Sequence, residues 1–150
     1  MKFYIPAQPH TGNITIGLGS HAEGWETIAA GEHSHAEGWY SIAAGRYAHA
    51  EGDSTRAGYG AHAEGVSTLA SGLESHAEGQ SSQATGDFSH AEGGGTQATA
   101  KWSHAEGGST VASGMHAHAE GANTQATGGQ SHSEGRQTFA TGSYTHAGGY

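Results

Sequence analysis

Polar and apolar positions along this chain follow neither a helical period nor a simple alternation. They follow a cycle of 14 residues. A string of the form Ser-His-Ala-Glu-Gly recurs with its histidines at His21, His35, His49, His62, His76, His90, His104, His118, His132 and His146. Every spacing is 14 except His49 to His62, which is 13. Between the strings lies a second pattern, Thr-x-Ala-x-Gly, as in Thr27-Ile28-Ala29-Ala30-Gly31 and Thr124-Gln125-Ala126-Thr127-Gly128. Each cycle therefore holds two short runs ended by Gly. That arrangement predicts two short strands and two turns per repeat. A helix is excluded, because Gly recurs about every seven residues and each costs a helix roughly 1 kcal/mol relative to Ala.

A strict 14-residue cycle predicts one flat coil per repeat, each stacked on the next at about 4.8 Å, so that about ten coils form a rod of roughly 50 Å. Side chains alternate across a strand. Ser20 and Ala22 then share one face, His21 and Glu23 the other; Thr27 and Ala29 share a face in the second run. Only small side chains fit a two-strand coil, so the Ser/Ala and Thr/Ala faces point inward, their hydroxyls bonding one another or the turn backbone. Ile28, Ile42, Leu69, Val111 and Phe139 alternate in one column with Arg56, Gln83, Gln97 and Gln125, which reads as a half-exposed face. The missing residue of the short repeat falls near Ala57-Gly58-Tyr59-Gly60, where Gly absorbs a tighter turn.

Composition sharpens this picture. With 27 Gly, three Leu, five Ile, two Val, three Phe and a net charge of -9, the chain has no conventional oily core. Regular repetition is the folding rule that needs only a thin core. Ala and Ser bury little area each, so a lone chain is marginal, and self-association through the nearly invariant His/Glu face is the expected remedy. Absence of Cys excludes disulfides and thiolate metal sites. Met1 to His10 carry no long apolar run, so no signal peptide is expected, and no stretch reaches the length of a membrane span. The acidic balance argues against nucleic acid as a partner. Residues 1–12, with Pro6 and Pro9, read as a leader or cap, and 13–150 as the repeat domain, whose Tyr144–Tyr150 end leads toward a further domain.

These motifs resemble the head repeats of trimeric autotransporter adhesins, the YadA-like left-handed parallel β-roll. Asn13-Ile14-Thr15-Ile16-Gly17 comes closest to that family's apolar string; the later copies carry His and Glu at its two apolar positions. The Ser-His-Ala-Glu-Gly arrays are also similar to those of phage tail-fibre and Gram-positive surface proteins. The resemblance covers about residues 13 to 148. It implies an all-β, left-handed parallel β-roll assembled as a parallel homotrimer, with the His/Glu positions facing the neighbouring chains. It further implies a structural or adhesive fibre segment on a virion or bacterial cell surface, with a host-surface receptor or glycan as its outside partner.

The candidate interchain ladder consists of His21, His35, His49, His62, His76, His90, His104, His118, His132 and His146 with Glu23, Glu37, Glu51, Glu64, Glu78, Glu92, Glu106, Glu120 and Glu134; Gly148 stands in the tenth Glu position. Stacked Glu repel unless compensated, and His two residues away is the available compensation. Ladder pairing predicts raised His and depressed Glu pKa values. The alternative is a metal-binding rod, with no cofactor required by the fold but a transition metal or anion held on the His columns. His33/His35 and His116/His118 raise the local His density and are the candidate metal ligands.

No catalytic role is expected. His-x-Glu lacks the Cys-x-x-Cys partner of zinc deaminases, and there is no His-Glu-x-x-His. Trp25, Trp39, Tyr40, Tyr47, Phe88, Trp102 and Tyr144 are placed in turns, as clamps or as an aromatic ridge for glycans. Asn13-Ile14-Thr15 matches a glycosylation sequon by chance. An ice-binding role for the Thr/Ser column conflicts with the inward placement of its hydroxyls.

Overall fold

The computed structural model describes residues 12–149. Tyr150 and the expected leader up to Thr11 lie outside the described residues. The chain is an all-β parallel solenoid of about ten coils. Long strands run from His21–Trp25 to His146–Gly149, one per repeat, and pair into a ten-stranded parallel sheet. Two-residue strands, from Ile14–Thr15 to Phe139–Ala140, form a second ten-stranded parallel sheet. Among the described residues there is no helix.

Register is set by identity. His76 pairs with His90, Ala77 with Ala91, Glu78 with Glu92 and Gly79 with Gly93; on the other sheet Gln83 pairs with Gln97 and Ala84 with Ala98. The 13-residue repeat keeps this register. His49 still pairs with His62 and Ala57 with Ala70. The residue is lost in the following turn, where Gly60 N–H donates to the Arg46 carbonyl at 2.8 Å and Ala61 N–H to Gly58 at 3.3 Å.

The interior is as small as the sequence requires. Ala36, Ala63, Ala77, Ala91 and Ala105 are completely buried, as are Ala29, Ala43, Ala70 and Ala84 from the opposing sheet. The largest fully buried side chains are threonines. Ser34, Ser75, Ser89 and Ser131 donate to the carbonyls of Gly31, Gly72, Gly86 and Gly128 at 2.6–2.8 Å, closing one turn of their coils. Thr55 donates to Ser41, which donates to the Gly52 carbonyl, both at 3.0 Å. The expectation of satisfied inner hydroxyls fails at Thr68, Thr96 and Thr110, whose Oγ1 atoms are buried without a partner. Because Thr27, Thr96, Thr110 and Thr124 are buried, this column is closed to an ice surface. At the first coil, Asn13 serves as a cap: its Oδ1 accepts from the Thr27 N–H and hydroxyl, both at 3.1 Å.

Two details differ from the sequence reading. The long strand starts at His and continues through Gly, so Trp25 and Trp39 are paired strand-end residues. The turns also contain a left-handed residue with a side chain, as at Tyr40 (φ 54°) and Trp102 (φ 57°). Bulky residues rarely adopt this conformation. Here the coil-to-coil ladder holds it: Tyr40 N–H donates to Trp25 and Trp102 N–H to Asp87, both at 2.9 Å.

Glycine is required where coils touch. Gly79 has φ of +97°, and a Cβ there would lie 2.2 Å from the Gly93 carbonyl oxygen, whereas a Cβ on Gly94 would meet nothing within 4 Å. Gly79→Ala is therefore expected to lower unfolding free energy by at least about 1–3 kcal/mol. Gly94→Ala should stay within about 0.5 kcal/mol of the parent. Equal denaturation midpoints for the two variants would refute the stacking geometry.

Candidate functional site

Identical register places every repeat His above the previous one. From His35 onward the imidazoles form a continuous stack: ring centroids are 4.9 Å apart for His35–His49, 4.7 Å for His49–His62 and for His90–His104, and 4.8 Å for His118–His132, with interplanar angles of 1–7° over these pairs. Strand alternation puts Glu two residues on, on the same outward face, as a second column beside the first. Within a coil the two columns touch. His49 Nε2 lies 3.3 Å from Glu51, His90 3.5 Å from Glu92 and His104 3.5 Å from Glu106. The predicted ladder residues are thus assembled into paired columns within one chain.

The contacts change toward the end of the rod. Glu120 places one carboxylate oxygen 3.7 Å from His118 and the other 3.7 Å from His132 in the next coil. His146 reaches back to Glu134 at 3.3 Å. One carboxylate can therefore serve two successive imidazoles. Nε2 of His35, His49, His62, His76, His90, His104, His118 and His132 is covered from solvent yet forms no hydrogen bond. Buried polar atoms of this kind ordinarily have partners. Side chains in mid-column are about a third exposed, as at His104 (35%) and Glu106 (37%), so the face is neither core nor free surface.

At His104 the direction is opposite to the one expected from pairing with Glu. Burial holds His104 below the usual histidine range; the adjacent His118 and His90 push the same way, and Glu106 and Glu92 oppose them. Ladder pairing with Glu predicted a rise. Burial accounts for most of the difference, and the like-with-like stack adds to it: a protonated ring would sit against two others that carry the same tendency to charge.

The His-x-His pairs are split between columns. His35 belongs to the stack, while His33 occupies a left-handed turn position (φ 54°) and its ring lies 5.8 Å from Tyr47. His118 stacks on His104, while His116 sits at a turn with its ring 4.6 Å from Trp102. The turn column also carries the Glu32–Arg46 ion pair at 3.0 Å and Lys101 Nζ 4.2 Å from the Trp102 ring. On the opposite sheet, a groove of about 710 Å³ runs past Ile14, Ile28, Ile42, Tyr40, Arg56 and Leu69. Trp25 and Trp39 line a separate apolar hollow. Sequence reasoning placed the histidines in columns but did not anticipate the face-to-face stacking of their rings or the covered Nε2 atoms.

Compared with known protein families, the chain matches no family model, and no curated protein matches it.

The His104 shift sets a sign for pH dependence. An unfolded histidine titrates near 6.5. Because folded His104 titrates lower, the unfolded chain binds more protons as pH falls. Its contribution to stability is complete above about pH 6.5 and is lost on acidification through that value. The melting temperature should accordingly drop as pH is lowered through this window, and the His104 ring signals should titrate below the free-histidine value by NMR. A His104 midpoint at or above the free value contradicts the stack-and-burial account.

Proposed function

We propose that this chain is a segment of a trimeric fibre, a rigid shaft or head in which three parallel copies pack their His/Glu faces together. The observation that carries the reading is the thinness of the interior. Among the described residues nothing larger than Thr is fully buried, so a single coil stack removes little apolar surface from water and stays marginal. The outward His/Glu columns keep nearly constant chemistry from His21 to His146, whereas the short-strand column runs from Ile28 and Arg56 to Phe139. A constant face fits a constant environment, and sister chains supply one. Their polar groups also offer partners for the covered Nε2 atoms, so buried polar contacts would specify register and trimer state.

In this reading the resemblance to YadA-like head repeats extends to left-handed coiling and a three-fold axis. The segment acts as a spacer or adhesive surface on a virion fibre or bacterial cell surface and has no catalytic role. Its outside partner, a host receptor or glycan, meets the variable positions that end the long strands and enter the turn, where Trp25, Trp39 and Tyr40 are exposed.

Light scattering coupled to size exclusion tests the assembly. The expected mass is three times the chain mass of 15.2 kDa, with cooperative melting that shifts upward with protein concentration. A monodisperse monomer of unchanged fold at working concentration rejects the trimer. Introducing His76→Asp and His90→Asp together adds like charge to the face; it should dissociate the assembly while a similar pair on the opposite sheet, Gln83→Asp and Gln97→Asp, does not.

A further inference from the structure

The columns have the parts of a metal site repeated along the rod. Consecutive coils bring together donor triads such as His62, Glu64 and His76, or His76, Glu78 and His90, whose ligating atoms lie within 4.8 Å of one another. Each triad comes from a single chain, so it does not depend on the trimer. We propose that these triads bind divalent transition-metal cations, each ion held between successive coils by two imidazole Nε2 atoms and one carboxylate.

Three independent observations support this. The Nε2 atoms are covered and make no hydrogen bond, so no donor among the described residues occupies them. Glu120 already spans His118 and His132 with its two oxygens, which is the bridging position an ion needs. Finally, among the described residues no Lys or Arg pairs with a column Glu; all of these carboxylates face only imidazoles. With neutral imidazoles the face is a line of uncompensated negative charge, and a cation removes that repulsion.

Geometry asks for the donors to draw together. Tetrahedral zinc binds His nitrogen and carboxylate oxygen at about 2.0–2.2 Å, so two donors on one ion lie roughly 3.3–3.6 Å apart. Parallel stacked rings direct their lone pairs side by side, and a modest rotation of each ring is needed for both to converge. The ligand set of imidazole and carboxylate suits zinc, cobalt or nickel and disfavours calcium, which takes oxygen ligands. The turn histidines His33 and His116 are excluded from the sites because they stack on Tyr47 and Trp102.

The test uses the whole chain made without a polyhistidine tag. Equilibrium dialysis and calorimetry with Zn²⁺ should show several ions bound per chain, with Ca²⁺ failing to compete. Combining Glu64→Gln, Glu78→Gln and Glu92→Gln should weaken uptake at those coils by more than about tenfold, the lower bound for losing even an outer-sphere partner. A chain carrying His33→Gln and His116→Gln should bind as the parent does. Uptake of less than a single ion per chain, or equal binding by the triple Glu variant in its folded state, overturns the proposal. Should that variant not fold, Co²⁺ absorption of the parent chain decides: intense d–d bands of nitrogen-ligated cobalt support the sites, and the spectrum of hydrated cobalt rejects them.

Discussion

Coil-on-coil contact at glycine governs this structure. At Gly24, Gly38, Gly52 and their successors, the position of an added Cβ falls about 2 Å from the next coil's carbonyl oxygen. No side chain fits there, so the two backbones approach to ladder distance along the whole rod. Once that contact recurs every cycle, the register between coils has no freedom. Each residue is then forced to sit on its own counterpart, and columns of like side chains follow.

Columns of like residues have unequal consequences. Inside, Ala on Ala is tolerated because the group is small and apolar, and the hydroxyl of Ser at the turn finds a carbonyl of the same coil. Larger residues would meet their own copies in a space without room. Cohesion therefore comes mainly from the backbone ladder and less from burial of oily surface, which differs from an ordinary globular core. The ladder also sustains left-handed residues such as Tyr40 and Trp102, because the coil on each side fixes the backbone polar groups of the turn. Strain that would be costly in an isolated turn is held in place by repetition.

Much of this architecture is legible in the sequence. Period, strand count, inward Ala/Thr faces, the site of the missing residue and the half-exposed Ile/Gln column all follow from alternation and small-residue sterics. The strand limits were less legible: Gly looked like a terminator, yet in the long strand it lies within the pairing, because a positive φ at Gly38 or Gly79 still permits ladder bonds to the next coil. Turn conformation was hidden for a related reason. Tyr, Trp and His carry no local signal for a left-handed backbone, and tertiary stacking imposes it. At the candidate site the residues were legible but the direction of the His104 shift was not. Considering only His against Glu within a repeat leaves out the burial of the ring first, and then the two other imidazoles that the register places above and below.

The outer face is where like-on-like stacking becomes an energetic problem. Protonating the imidazoles would offset the glutamates but set positive rings against one another at about 4.7–4.9 Å. Leaving them neutral keeps the stack but leaves the carboxylate column charged. Neither protonation state satisfies both columns within one chain. Relief has to come from outside, as polar groups of sister chains or as cations between coils, and a given Nε2, with one lone pair or one proton, takes only one of the two. Apolar residues at these positions would avoid the conflict altogether. The coils carry the conflict from His21 to Glu134, which is the physical reason to look for function on this face rather than in the groove opposite.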